Sequence, residues 1–289
     1  MNKEELRTLV SEILRDYEKT PVLSTQSVSE PVHQVPDITA MDLRKLYMVE
    51  RPANHDEFLQ LKSKTPARLG NGRAGARYKT LSMLRFRADH AAAQDSVFSQ
   101  VSKEFVEKNH LVFVKTRCTD KDEYLTRPDL GRRFDGENQK IIEKTCGKAP
   151  KILLVIGDGL SSAAIEANGM DCSNAIRQGL KAHGHDLGDT LFIQYCRVGA
   201  SDHIGQMTGA DLVCMLVGER PGLVTAESMS AYITYRPRIG TPESDRTVIS
   251  NIHKQGTPAV EAGAHIATLL LDILQKGCSG VKYRQEAVG

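Results

Sequence analysis

The sequence predicts an α/β protein: a mostly parallel sheet with helices on both faces, preceded by a smaller, mainly helical N-terminal region. Three observations carry this. Ile152 to Gly157 is an apolar run with no polar alternation, as expected of a strand covered on both faces. Further apolar runs begin at Leu191 and Leu212, separated from it and from each other by helical or polar segments. Strands spaced in this way pair in parallel through crossovers. Finally, 258–275 places Val260, Ala264, Ile266, Leu269, Leu270 and Ile273 along one helical stripe. Such an arrangement is Rossmann-like.

Residues 3–19 set Leu6, Leu9, Val10, Ile13, Leu14 and Tyr17 at spacings of three and four between charges, the pattern of an amphipathic helix. That segment, within 1–19, either docks on its own subunit or serves as a tag. Residues 20–37 hold Pro21, Pro31 and Pro36 among Ser, Thr and Gln. Such a composition buries too little surface to offset its ordering entropy, so a flexible linker is expected. The span 38–115 reads as a helical region ending in the short strand Leu111-Val-Phe-Val-Lys.

Within that region Gly70, Gly72 and Gly75 match G-x-G-x-x-G. A dinucleotide-binding turn needs an apolar strand just upstream, and Leu61 to Leu69 is charged and broken by Pro66, so the match is rejected. Residues 51–90 carry nine Lys or Arg against three Asp or Glu. Arg68, Arg73, Arg77, Arg85 and Arg87 could grip phosphates, but no aromatic interleaving or nucleic-acid motif accompanies them. Pairing with carboxylates, in caps or at an interface, suits their planar guanidinium groups better.

Residues 116–150 form a polar connecting segment with a short helix near Glu137 to Lys144. The α/β domain, 151–289, then runs through strand 152–157, a helix from about Ser161 to His183 broken near Gly169, and strand 191–198. A polar loop, Gly199 to Gly205, precedes strand 212–217; strands over 231–235 and 247–252 and the long closing helix follow.

The whole chain has 289 residues and a net charge of +2, which makes no case for a polyanionic partner. Its six cysteines are scattered without a C-x-x-C pair, as suits reduced thiols in a cytosol. No run reaches the roughly 18 apolar residues of a membrane span, and the N-terminus lacks a signal-peptide core.

Ligands of open α/β sheets bind beyond the carboxyl ends of the strands. Three turns lie there: Gly157-Asp-Gly-Leu-Ser, Arg197-Val-Gly-Ala-Ser-Asp-His and Gly218-Glu-Arg-Pro-Gly-Leu. Asp158 or Ser161 is placed to cap the following helix. Glu219 is either half of an ion pair with Arg220 or a ligand group. A hydrolase set from Ser161, Asp202 and His203 is rejected, because the second glycine of G-x-S-x-G is missing and Asp202 adjoins His203. His183 and His185 have no zinc-ligand spacing around them, and no catalytic metal is expected. With no compact acid, base and nucleophile, the chain is better equipped to bind than to catalyse alone.

Thr65-Pro-Ala-Arg-Leu-Gly-Asn-Gly-Arg-Ala-Gly, Arg85-Phe-Arg-Ala-Asp-His-Ala-Ala-Ala-Gln-Asp, Asp158-Gly-Leu-Ser, Val217-Gly-Glu-Arg-Pro-Gly-Leu and Ile249-Ser-Asn-Ile, in this order, closely resemble the small (light) subunit family of ethanolamine ammonia-lyase. The resemblance runs from about residue 40 to 280. It implies an adenosylcobalamin-dependent lyase that converts ethanolamine to acetaldehyde and ammonia. The substrate and catalytic side chains would then lie on a TIM-barrel large subunit, with the small subunit enclosing the cobalamin in a hetero-oligomer. The resemblance carries cobalamin contacts onto Val198, Glu219 and Val248; relatives can have cysteine at the last position, so that contact is expected to be apolar or through backbone. It also implies packaging in a bacterial microcompartment, with residues 3–19 as the tag, and neither nucleic acid nor membrane as partner.

Overall fold

Unalternated β-branched and aliphatic residues from Ile152 to Gly157 form β4 (Ile152–Gly157), every residue of which is buried. It is central to a six-stranded sheet. The other strands are β3 (Val112–Lys115), β5 (Leu191–Gln194), β6 (Leu212–Gly218), β7 (Met229–Tyr235) and β8 (Arg246–Ile252), in the order β3-β5-β4-β6-β7-β8. Pairing is parallel from β3 through β6 and antiparallel on both sides of β7. All strands but β7 therefore point one way, as the expected mostly parallel sheet requires. The computed structural model describes residues 37–42 and 45–286, and the expected N-terminal helix and most of the linker lie outside them.

Two units are distinguished, Met1–Ala40 and Met41–Gly289. Of the first, the 3-10 turn Ile38–Ala40 is described, with the Asp37 carboxylate accepting from the Thr39 amide at 2.8 Å. The second contains the sheet. Ahead of β3 it holds α1 (His55–Ser63), a two-stranded hairpin of β1 (Arg73–Ala74) and β2 (Arg77–Tyr78), α2 (Thr80–Phe98) and α3 (Lys103–Lys108). The rejected glycine fingerprint thus builds a hairpin, not a strand-to-helix turn. Between β3 and β4 come α4 (Lys121–Thr126) and α5 (Gly136–Cys146), both capped by aspartates: Asp120 accepts from the Glu123 amide and Asp135 from that of Asn138, each at 2.9 Å.

The two faces of the sheet build separate cores. On one face Leu154, Ile156, Cys214, Leu216 and Ile233 meet α6 (Ser162–Ala182) and α8 (Ala259–Lys276) through Ile165, Ile176, Ile266 and Leu270. On the other, Leu153, Val155, Ile193, Val213 and Met215 meet Ile142 of α5 and Ile204 of α7 (Ala200–Thr208). Helices α6 and α8 approach closely because small residues face each other; a Cβ on Gly263 would lie 2.6 Å from that of Ala175. A last helix, α9 (Gly280–Glu286), follows.

Three local expectations need correction. Helix α6 runs unbroken through Gly169, which is buried over Ile165 and Ile156, so packing against β4 overrides its poor propensity. Strand β5 stops at Gln194, since Tyr195 adopts a left-handed backbone, φ 57°. The expected polar loop 199–205 is most of helix α7, whose Ala200, Ile204 and Thr208 recur every four residues and are buried. A pattern of so few apolar residues carries little signal in sequence, and the tertiary contact decides it.

Candidate functional site

The turns after β4 and β6 interlock through backbone. Gly159 has φ 58°, and its amide neighbour Leu160 donates to the Gly218 carbonyl at 3.0 Å. A Cβ on Gly218 would sit 2.8 Å from the Asp158 carbonyl oxygen, and closer still to that of Ser161. Only glycine allows this approach. The space between the ends of β4 and β6 is therefore filled by main chain.

Ser161, not Asp158, caps α6: its hydroxyl accepts from the Ala164 amide at 3.1 Å. Asp158 turns the other way. Fully buried, it accepts the Cys196 amide at 3.1 Å. Burial pushes its carboxyl up to about 6, against the nearby Lys121 ammonium and the amides of Cys196, Tyr195 and Gly159, which pull it down. Burial likewise pulls Lys121 down, with Asp158 working against it.

Beyond β5 the backbone is held at every residue. Thr116 Oγ1 donates to the Tyr195 carbonyl and the Tyr124 hydroxyl to the Cys196 carbonyl, both at 3.0 Å. The Arg197 amide donates to Gly131 O at 2.9 Å, and its guanidinium lies over the Tyr124 ring at 4.4 Å. Val198 follows, half-buried against the core shared by α5 and α7, while its carbonyl accepts from Ser201 Oγ at 2.7 Å.

Glu219 leaves β6 half-buried, its amide donating to Ser228 O at 2.9 Å. The partner of its carboxylate is Tyr232, whose hydroxyl donates to Oε1 at 2.8 Å; the adjacent Arg220 is exposed. Burial and the hydrogen bond to Glu219 raise the Tyr232 phenol well above its ordinary value. Val248 lies directly opposite Tyr232 in the β7–β8 register and is half-buried. Since cross-strand partners share a face, Val248, Tyr232 and Met215 form a row across β8, β7 and β6. Tyr232 and Val198 both border the core that contains Met215.

Val198, Glu219 and Val248, each from a different part of the chain, thus flank one side of the sheet, with Tyr232 linking the last two. Tyr232 is a residue that sequence reasoning missed. Its signal was the alternation of 231–235, which puts it on the opposite face from Ile233, but nothing local pairs it with Glu219. Lys121, Tyr124 and Tyr195 were missed too, because α4 and the turn after β5 are brought together only by the tertiary fold.

Other candidates separate. Asp202 is bound by both terminal nitrogens of Arg246 at 2.8 and 2.9 Å, and His203 Nδ1 accepts the Phe134 amide at 3.2 Å. Ser161 contacts Ser96 Oγ at 3.0 Å. The three have separate partners and form no relay. Among the described residues no group of three or more His, Cys, Asp and Glu side chains could hold a metal ion. In the basic segment Arg68 and Arg85 converge on Asp89 at 2.6 and 3.1 Å. A cavity of about 530 Å³ beside Met48, Arg68, Asn71 and Lys79 contains none of Val198, Glu219 or Val248.

Chemically, the site offers two half-buried valines and a carboxylate held by one phenol. A carboxylate has several lone-pair positions, so Glu219 can accept further donors while bound to Tyr232. Such an arrangement suits an apolar ligand surface that carries N–H groups.

A family model described as the ethanolamine ammonia-lyase light chain matches residues 55–284. The ethanolamine ammonia-lyase small subunit of Clostridium perfringens is 57% identical over 292 residues, covering 97% of this chain and 99% of the relative. That of Lachnoclostridium phytofermentans is 62% identical over 250 residues, 86% of this chain and 84% of the relative. That of Clostridioides difficile is 55% identical over 292 residues, 97% and 99%. Among the described residues no helix is long and apolar enough to cross a membrane.

Proposed function

The chain belongs to the ethanolamine ammonia-lyase light-chain family, and from that premise we propose that it encloses adenosylcobalamin against the large subunit. In the assembled enzyme ethanolamine would be converted to acetaldehyde and ammonia, with substrate and catalytic side chains on the large subunit. The observation that carries this reading is the joined edge of Val198, Glu219, Tyr232 and Val248.

The residues fit the group. The corrin ring is broad and apolar with amide groups at its rim. Val198 and Val248 offer half-buried apolar contact, and Glu219, with Tyr232 fixing one oxygen, offers an acceptor for an amide N–H. When bound, adenosylcobalamin supplies the radical that initiates the rearrangement. This chain's part is to bind, orient and exclude water. Val248, where relatives can carry cysteine, would contribute through its methyl groups or its backbone.

We further propose that residues 3–19 direct the chain into a bacterial microcompartment; the support is their amphipathic spacing. Reconstitution tests the central reading. The chain, its large subunit and adenosylcobalamin together should deaminate ethanolamine, and omission of the chain should abolish turnover. Full activity of the large subunit alone would sink it.

A further inference from the structure

We propose that Asp158 is a positioning residue: its buried carboxylate fixes the Cys196 amide and thereby sets Val198 against the cofactor. The inference rests on the cofactor-facing reading of Val198 above.

Tyr195 holds φ 57°, a conformation that side-chain-bearing residues seldom adopt and that surroundings must impose. Hydroxyls from Thr116 and Tyr124 hold the carbonyls of Tyr195 and Cys196. The Cys196 amide, also in the interior, is received by Asp158 Oδ1. Val198 is two residues further on, so freedom at Cys196 becomes displacement at the ligand edge.

A carboxylate is a costly choice for this task. Asp158 has no exposure, and its Oδ2 has no hydrogen-bond partner. A neutral acceptor such as asparagine would bring no charge inside, but it would hold the amide only about half as strongly. The charge makes sense beside Lys121, itself 7% exposed, whose ammonium contacts the carbonyls of Ser99 and Gly159 at 3.4 Å. Lys121 opens α4, the helix that carries Tyr124, and Ser99 follows the end of α2. Lys121 thus links α4 and the end of α2 to the turn after β4, and Asp158 links that turn to the one after β5. Weakening the Asp158 acceptor should loosen the turn after β5 first, because its other anchors hold the carbonyls of Tyr195 and Cys196 and the Arg197 amide and offer the Cys196 amide no acceptor.

The test uses the enzyme assembled from this chain and its large subunit, carrying Asp158→Asn, Asp158→Asn with Lys121→Met, or Val198→Arg. Hydrogen exchange of residues 194–200 reports the turn, and titration with hydroxocobalamin, followed by visible absorption, reports the site. Asp158→Asn should speed exchange and weaken cobalamin binding about tenfold each while subunit co-purification persists. The double variant should recover part of both losses, since no unpaired ammonium remains. Unchanged exchange would overturn the proposal. So would faster exchange with unchanged cobalamin affinity where Val198→Arg weakens it. If Val198→Arg also leaves affinity intact, the reading of the site is what fails, and the proposal falls with it. Should Asp158→Asn not co-purify, Lys121→Met alone is held to the same two criteria.

Discussion

The Tyr232 hydroxyl donates to Glu219 Oε1 at 2.8 Å across two antiparallel strands, with Met215 directly opposite Tyr232. The bond fixes a carboxylate that would otherwise swing freely beyond the strand end. Glu219→Ala is therefore expected to weaken cobalamin binding by the assembled enzyme about tenfold, and Tyr232→Phe by a smaller factor, about threefold. Equilibrium titration with hydroxocobalamin measures both; equal affinities for wild type and Glu219→Ala would make the residue purely structural.

Asp158 has a pH signature of unusual sign. Its native carboxyl keeps its proton up to about pH 6, while in the unfolded chain it loses it near 4. Between those values the native state binds more protons, so this group's contribution to stability falls as pH rises from about 4 to about 6 and is level above. The difference amounts to roughly 3 kcal/mol. Urea unfolding should show wild type losing that much relative to Asp158→Asn across the window. Parallel pH profiles would contradict it.

Arg246 and Asp202 form a buried pair whose side chains are 2% and 9% exposed. Burial alone pulls the Arg246 guanidinium down, but hydrogen bonds to Asp202 and Glu243 more than offset it and hold it above its ordinary value. Removing one partner strands the other. Arg246→Ala should cost about 3–5 kcal/mol in unfolding free energy. A loss below about 1 kcal/mol would mean that water reaches Asp202 easily.

Deletion of residues 1–20 should leave deamination by the reconstituted enzyme intact and abolish loading into microcompartments, scored by co-sedimentation with purified shells. Loss of folding on deletion would instead favour a helix docked on its own subunit.

Much of the architecture was legible in the chain. The run of 152–157 reads as a strand buried on both faces and the stripe of 258–275 as a helix, and both form as expected. The motifs, long and ordered, were enough to identify the family. Less legible were features set by contact. Gly169 suggested a break where β4 offers a packing surface, and the polar stretch Gly199 to Gly205 suggested a loop where the second core supplies a reason for a helix.

The site divides in the same way. The turns that hold Val198 and Glu219 were singled out because ligand sites gather at carboxyl ends of strands, a consequence of chain direction that sequence order already contains, and the resemblance then picked those two residues within them. Val248 came through resemblance alone. That Asp158 leaves its own helix and holds the Cys196 amide, and that Glu219 bonds Tyr232 instead of its neighbour Arg220, was decided by tertiary structure. Sequence determines periodicity and turn chemistry, which act over a few residues. Which amide meets which carboxylate depends on strand order and register, and those are fixed only when the whole sheet is assembled.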